Sequence, residues 1–470
     1  MSSNREYDFE GGLDRPLLSE EAHDGNGTNH PGASVKDTCF IILSIYVGLG
    51  LLSQPYGLKL GGWLGLVALL GTAALFFTSA SLLGKACDLL PPGLPRTFPV
   101  LGDALAGPTG RAIVSVLAGL ELFGAVCIAI VVVIQQLELL LPSEGLFSLT
   151  PLALACIITG SGFIPVLALP DVSRLAPIAA AGSGASLAVA LAVLSLIPVD
   201  PTRQHLRQQP PAPRFIAHWP GIIQSIGIFA VSMSGHSTLP ALRAAMRRPD
   251  HFHKAVGLAF FIMATLYALV AAAGYWYWGE AVSPLAVFDL ATNSPYSSSS
   301  SHAASWASSW WGQWVQIDRI LASLVLITCS AKVPALVLVI HELLKSLFPA
   351  VLAPESVENE LHLESSDALA HQSWRYKHRN FIWRLIIGGA ALALGVAARN
   401  ELGNVLSLVG GACSMATSLI LPVAFYSKLS WQTHGPAVKF SLSAVMVLGV
   451  VLLTQVTWQD ARQMWHQKHG

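Results

Sequence analysis

The chain has 470 residues, 53% of them hydrophobic and 11% charged, with a mean hydropathy of +0.56. Soluble domains carry about 25% charged residues, so this chain has more apolar surface than one water-soluble core can bury, which marks it as a polytopic membrane protein. Its 27 Lys+Arg balance 27 Asp+Glu, and a neutral chain of this kind offers no basic footprint for nucleic acid.

Residues 1–34 form a polar, acidic tail with two basic residues, Arg5 and Arg15, against seven acidic ones. Such a composition predicts disorder. Asp14-Arg15-Pro16-Leu17-Leu18 has the form of an acidic dileucine sorting signal, a pattern that also arises by chance. Asn26-Gly27-Thr28 is a sequon, but it goes unused on a cytoplasmic tail. No signal peptide is visible.

Windows of about 20 apolar residues mark membrane spans. Eleven follow in order, at 36–58, 62–86, 111–141, 150–169, 174–198, 219–240, 255–278, 315–345, 381–399, 402–427 and 437–458. Trp63, Trp219, Trp278, Trp314, Trp383 and Trp458 sit at span ends, where an aromatic belt belongs. With the N-terminus placed in the cytoplasm, 16 Lys and Arg near the spans fall inside and 6 outside, the asymmetry of the positive-inside rule. The loop at 199–218 is the main exception, with three arginines on the outer side. Eleven spans then put the C-terminus in the lumen or outside the cell. The six cysteines (Cys39, Cys87, Cys127, Cys156, Cys329, Cys413) lie in or beside apolar runs without metal-ligand spacing, and they read as small apolar fillers.

The first span contains GLGLLSQP, with Gly48, Gly50, Ser53, Gln54 and Pro55 at membrane depth. The sixth contains FAVSMSGHSTLP, in which Ser232, Ser234, Gly235, His236, Ser237 and Thr238 precede Pro240. Broken backbone is tolerated in a membrane only where protein or a wet cavity satisfies it. Gly50 precedes Pro55 by five residues and Gly235 precedes Pro240 by five, with 185 residues between the two pairs. Five spans separate the breaks, and an odd number inverts the second unit relative to the first. Two inverted five-helix units with broken first helices are the architecture of many secondary transporters. The exposed amide ends attract a carboxylate and the carbonyl ends attract cations, so the pattern points to amino acids as substrates. Close packing through small residues is the competing reading of either break alone.

GLGLLSQPYGLKLGGW (48–63) and SGHSTLPALRAAMRRPDHFHKAV (234–256) resemble the first- and sixth-span signatures of the amino acid/auxin permease family. The matching positions of the second stretch are Gly235, His236, Pro240, Met246, Pro249, Phe252 and Val256. GYWYWGE (274–280), TCSAKVPALVLVIHE (328–342) and LVGGACSMATSLILPVAFY (408–426) fit the branch of vacuolar and vesicular amino acid transporters. The resemblance covers about residues 35–458. It implies an all-α polytopic protein with eleven transmembrane helices in a five-plus-five inverted repeat (a LeuT-like fold) with broken helices 1 and 6, driven by a proton gradient. One departure is Val333-Pro334 after Lys332, where the family pattern has Tyr-Ala. A proline there is expected to loosen the helix.

Several residues are candidates for the site. The backbone of Val47, Gly48, Leu49, Gly50 and Leu51, with that of Ser232, Ser234 and Gly235, is placed to hold the substrate's α-carboxylate and α-amino ends. Ser53, Ser232 and Ser234 can add hydroxyl contacts. Lys332 lies 13 residues before Lys345, about 20 Å at 1.5 Å per residue, too deep for easy snorkelling. It can take a coupling cation's place or form a static salt bridge to Glu121, which is itself ten residues into the third span. Intramembrane charges of this kind default to functional roles. Glu121 can carry the coupling proton, and His236 can titrate or simply brace the break. Tyr56 and Phe229, near the breaks at Pro55 and Pro240, can gate the pocket or pack. His341 and Glu342 read as interfacial.

The expected organisation is therefore a tail (1–34), a first repeat (35–198), a lumenal loop (199–218), a second repeat (219–427, with loops 279–314 lumenal and 346–380 cytoplasmic) and an eleventh helix with a short C-terminal tail (428–470). No hydrolase or Walker motif is present, so an enzyme and an ATP-driven pump are not expected. Nor is a metal or other cofactor. The expected partners are an amino acid, protons and the lipid bilayer, in a vacuolar or other endomembrane rather than the plasma membrane. Two alternatives are an amino-acid sensor signalling through its tail and a carrier of auxin-like organic acids.

Overall fold

The computed structural model describes residues 33–141, 149–168, 176–196, 215–285, 317–348 and 366–469. The dileucine, the sequon and most of the three long loops lie outside the described residues. Every regular element among them is helical, and an isolated β-bridge links Ala33 and Met246.

Among the described residues, eleven helical units succeed one another. Six helical stretches are long and apolar enough to cross a membrane, and one of these, His378–Thr433, contains both the ninth and tenth expected spans. The first span is a bent pair, Val35–Tyr46 and Gly50–Gly61, with 61° between its halves. The fourth and fifth are shorter apolar helices, Pro151–Pro165 and Ala181–Ala192 within the longer helices of those units. The sixth is broken between Trp219–Ser232 and Leu239–Ala244. Phe261 and Phe440 are 71% and 76% exposed, as side chains on lipid-facing stripes should be, since lipid rather than water bathes them.

Local sequence sets the ends. Ser34 caps the first helix in a capping box with Asp37: each side chain meets the other residue's amide, at 3.3 Å and 3.0 Å, satisfying donors that a helix start leaves free. The third span starts earlier than its hydropathy suggests. Its helix begins at Phe98 and bends at Ala106 and Gly107, just before Pro108, where the ring removes an amide. Pro334 does not interrupt the eighth span, which is one helix from Ile317 to Leu347. The ninth helix begins at Ser366, so the second half of the expected 346–380 loop is helical. The eleventh runs from Pro436 to His469, and the expected C-terminal tail continues that helix.

Equivalent spans of the two units pair across the molecule. The first span packs on the sixth, and the third on the eighth. The sixth also lies on the tenth, whose middle is wound as π-helix over Val409–Ser414 and Ala416–Ile420. Such winding is rare and concentrates at functional sites. On the N-terminal side of the membrane, backbone bonds Ala33 N–Ala245 O and Arg247 N–Ala33 O, both 3.0 Å, tie the entry to the first span to the exit of the sixth. Nearby, Arg243 forms an ion pair with Asp88 at the end of the second span.

Candidate functional site

The two breaks touch. A side-chain carbon on Gly50 would stand 2.7 Å from Cα of Ser232, so only glycine lets the backbones approach this closely. Gly235 carries φ +129°, a region that L side chains rarely adopt, and it turns the sixth span from its first half into the short 3-10 turn His236–Thr238. The two interruptions that share a five-residue spacing in sequence are thus one structural junction.

Donors from elsewhere meet the carbonyls at this junction. The carbonyl of Gly50 accepts from Ser53 Oγ at 3.0 Å, from Ser232 Oγ at 3.3 Å and from Gln54 Nε2. Tyr267 Oη, from the seventh span, lies 2.9 Å from the carbonyl oxygen of Tyr46 and 3.1 Å from that of Ser232. It bridges the last turns of both half-helices. Lys332 Nζ lies 3.2 Å from the Val47 carbonyl and 3.5 Å from that of Ile45. Its ammonium therefore sits where a half-helix presents its negative end, the position that attracts a cation.

Lys332 is not the partner of Glu121, so the salt bridge admitted from sequence does not form. Glu121 is 2% exposed, and neither carboxyl oxygen has a hydrogen-bond partner among the described residues. The hydroxyls nearest to it come from Ser234 at the sixth-span break and from Ser414 and Thr417 of the π-wound tenth span. Thr417 Oγ1 donates to Cys413 O at 3.0 Å and Ser234 Oγ to Val231 O at 2.9 Å, which leaves their lone pairs to accept.

His236 is fully buried and braces the break against the second span. Its Nε2 lies 3.0 Å from the Phe76 carbonyl, so that nitrogen bears the hydrogen; Nδ1, 3.3 Å from Tyr46 Oη, is left to accept. Ser79 Oγ is 3.2 Å from Nε2. These contacts tie the sixth-span break to the first and second spans.

The remaining predicted residues divide between packing and backbone. Phe229 is buried against Gly57 and Pro55 against Gly274, while half-buried Tyr56 lies against Gly403. Leu51 and Pro240 are buried, and the Leu51 amide meets the Gly48 carbonyl at 3.0 Å. Gly48 faces Lys332 so closely that a β-carbon would collide with Nζ. Leu49 contributes its backbone, opening the short helix Leu49–Leu52 after extended Gly48. His341 is fully buried within the protein, near the end of the eighth span. All six cysteines are free, three buried and three half-buried. Tyr46, Tyr267 and Ser79 belong to the site but escape a reading by motif. They are polar residues in apolar runs outside the two breaks, and only their depth in their spans could have marked them.

The model of the transmembrane amino acid transporter protein family matches residues 31–460. Among curated proteins of Arabidopsis thaliana, the chain is 31% identical to amino acid transporter AVT1B over 268 residues, 56% of this chain and 47% of that protein. It is 24% identical to amino acid transporter AVT1J over 470 residues, 99% of each. The match to AVT1B thus spans about half of that relative's length, whereas the match to AVT1J is end to end. Two solved structures share the fold. MhsT in complex with L-phenylalanine has a TM-score of 0.53 at 13% identity, covering 92% of this chain and all of that one. The inward-facing conformation of Mhp1 has a TM-score of 0.51 at 13% identity, covering 95% and 96%. Broken first and sixth spans in contact, a LeuT-type fold and a family match along nearly the whole chain make it a member of the transmembrane amino acid transporter protein family, a family of transporters and not of enzymes.

Proposed function

We propose that the protein is a secondary active transporter that moves amino acids across an endomembrane, of vacuolar type, by alternating access around the broken first and sixth spans, with protons as the coupling ion. The observation that carries this reading is the junction at Gly50 and Ser232, with the Lys332 ammonium on the half-helix carbonyls of Ile45 and Val47. The relatives' names as amino acid transporters support the substrate class.

In this reading the amides from Gly48 to Gly50 and around Gly235 receive the α-carboxylate, because the start of a helical segment leaves amides unpaired. Ser232 and Ser234 offer oxygens to the α-ammonium. A fixed lysine ammonium on the carbonyl ends removes the need for sodium there. Glu121, touching both the sixth-span break and the tenth span, carries the coupling proton, while His236 holds the break in shape. The N-terminus is cytoplasmic, following the distribution of Lys and Arg, and the C-terminus is lumenal.

Reconstitution into liposomes with imposed pH gradients of either sign, and a competition panel of amino acids, tests the proposal. Labelled amino acid is expected to move at a rate that follows the gradient and to be displaced by other amino acids. Absence of flux for the whole panel overturns it.

A further inference from the structure

The eleventh span lies outside both five-helix units, yet it sends one carboxyl group into the protein. Trp458 is 68% exposed, in the aromatic belt, whereas Asp460, two residues on, is 0% exposed. One turn earlier on the same face, Val456 wedges between Gly227 of the sixth span and Gly411 of the tenth. Residues four apart share a helix face, so Asp460 points at the same seam. There it meets Ser407 of the tenth span and Gln224 of the sixth. The Ser407 hydroxyl is already donated to the Gln224 carbonyl at 3.2 Å. Gln224 is 6% exposed, and its side-chain amide nitrogen has no partner among the described residues. Both oxygens of Asp460 are likewise without one.

We propose that Asp460 is a second proton-binding site, separate from Glu121, whose proton state latches the outer half of the sixth span to the tenth and eleventh. The inference rests on the reading of the chain as a proton-coupled transporter. An ionised carboxylate held away from water without a partner carries a penalty of several kcal/mol. The protonated acid avoids most of it and has a hydrogen to donate. The closed seam therefore selects the protonated form. Opening the seam to water admits the ionised form, and the two equilibria are linked.

Among the described residues, no cation compensates the group. The sixth-span half Trp219–Ser232 contains no titratable side chain, and His218 before it bonds the Leu60 carbonyl at 2.8 Å. The first span offers Tyr56, and Lys59, whose ammonium bonds the Val282 carbonyl at 2.9 Å. Glu401, at the start of the tenth span, is bonded by Asn404 at 2.6 Å. Cys413, Tyr426 and Lys428 follow further along that span, and exposed Arg462 lies on the eleventh. None forms an ion pair with Asp460 among the described residues. Gln224, Ser407 and Asp460 come from three different helices, so a proton lost here loosens all three at once. Glu121 lies against the same tenth span, at its π-wound middle. One element with rare winding thus separates two buried acids.

Acid-minus-neutral infrared difference spectra of the purified full-length protein in lipid test the site directly. The carbonyl-stretch region of the wild type should contain a protonated-carboxyl component that is missing from Asp460→Asn and retained in Glu121→Gln. Asp460→Glu, which keeps the acid, and Gln224→Leu, which removes its neighbour, should each shift that component. These two variants keep the test decisive if Asp460→Asn does not fold. Superimposable spectra across wild type, Asp460→Asn and Gln224→Leu overturn the proposal.

Uptake measured in parallel separates this inference from the one it rests on. Asp460→Asn is expected to lose a lumenal-pH dependence of up to about tenfold per pH unit, the most that one proton supplies. Wild-type flux that follows the pH gradient, with Asp460→Asn unchanged in both readouts, overturns the latch and leaves proton-coupled transport standing. An Asp460 band in a protein without gradient-driven flux supports the proton site and overturns proton-coupled transport.

Discussion

At the scale of single residues, the site is governed by what each polar atom finds at membrane depth. Lys332 donates to the Ile45 and Val47 carbonyls, and a hydrogen bond with a charged partner contributes about 1.5–3 kcal/mol. Lys332→Ala should therefore lower gradient-driven uptake by at least about tenfold, measured in liposomes at matched protein density. Coupling equal to that of the wild type would remove the lysine from the mechanism. Gly50→Leu has no room, because its first side-chain carbon would already press on the Ser232 backbone. Uptake should vanish while the variant still reaches its membrane, as shown by fractionation. Tyr267→Phe is milder. It removes the hydroxyl between Tyr46 and Ser232, a loss of about 1 kcal/mol, and the melting temperature should fall by a few degrees with uptake reduced but present.

At the scale of elements, the sixth span has two halves with different attachments. Its first half lies on the tenth and eleventh spans through Gly227, Gly410 and Val456. Its second half is held to the second span by Arg243 and Asp88, and to the chain before the first span by the backbone bonds at Ala33. Alternating access requires these attachments to exchange. Arg243→Asp should weaken uptake, because it places a carboxylate at the buried Arg243 position, facing the exposed Asp88. Combining it with Asp88→Arg should restore part of the loss. A double variant no better than the single one would show that the pair is not an attachment. The sequence displayed the break at Gly235 but not these attachments. Arg243 reads as one of several loop arginines until folding places it on Asp88, 155 residues away.

For the whole molecule, the parity of the spans decides whether the termini share a side, and the eleven spans of the proposed topology put them on opposite sides, with the N-terminus in the cytoplasm. An N-glycosylation sequon appended beyond Gly470 should be modified in an expressing cell, and one appended before Met1 should not, read as a mobility shift reversed by glycosidase. Modification of both tags, or of the N-terminal tag alone, would refute the orientation. The spans were legible because lipid demands long apolar helices wherever they pack. Their ends were less so. The bend at Gly107 joins an amphipathic lead-in to the third span, and the ninth and eleventh helices run past their apolar windows, since helix formation does not stop where hydropathy does.

The sequence by itself determined that the chain crosses the membrane many times, that two spans are broken, and that the breaks are equivalent. Each follows from local chemistry, namely apolar length, glycine and proline, and repeat spacing. Only the tertiary structure decided the partners. It set Lys332 on the carbonyls of the first break rather than on Glu121, put Glu121 among hydroxyls, and turned His236 into a brace. It also brought Gln224, Ser407 and Asp460 to one seam. A buried polar atom takes whichever complementary group the packing brings within about 3 Å, and that choice is made between helices far apart in sequence. The stretch from Phe229 to Pro240 announces a break on its own, but its function depends on Gly50 lying against it.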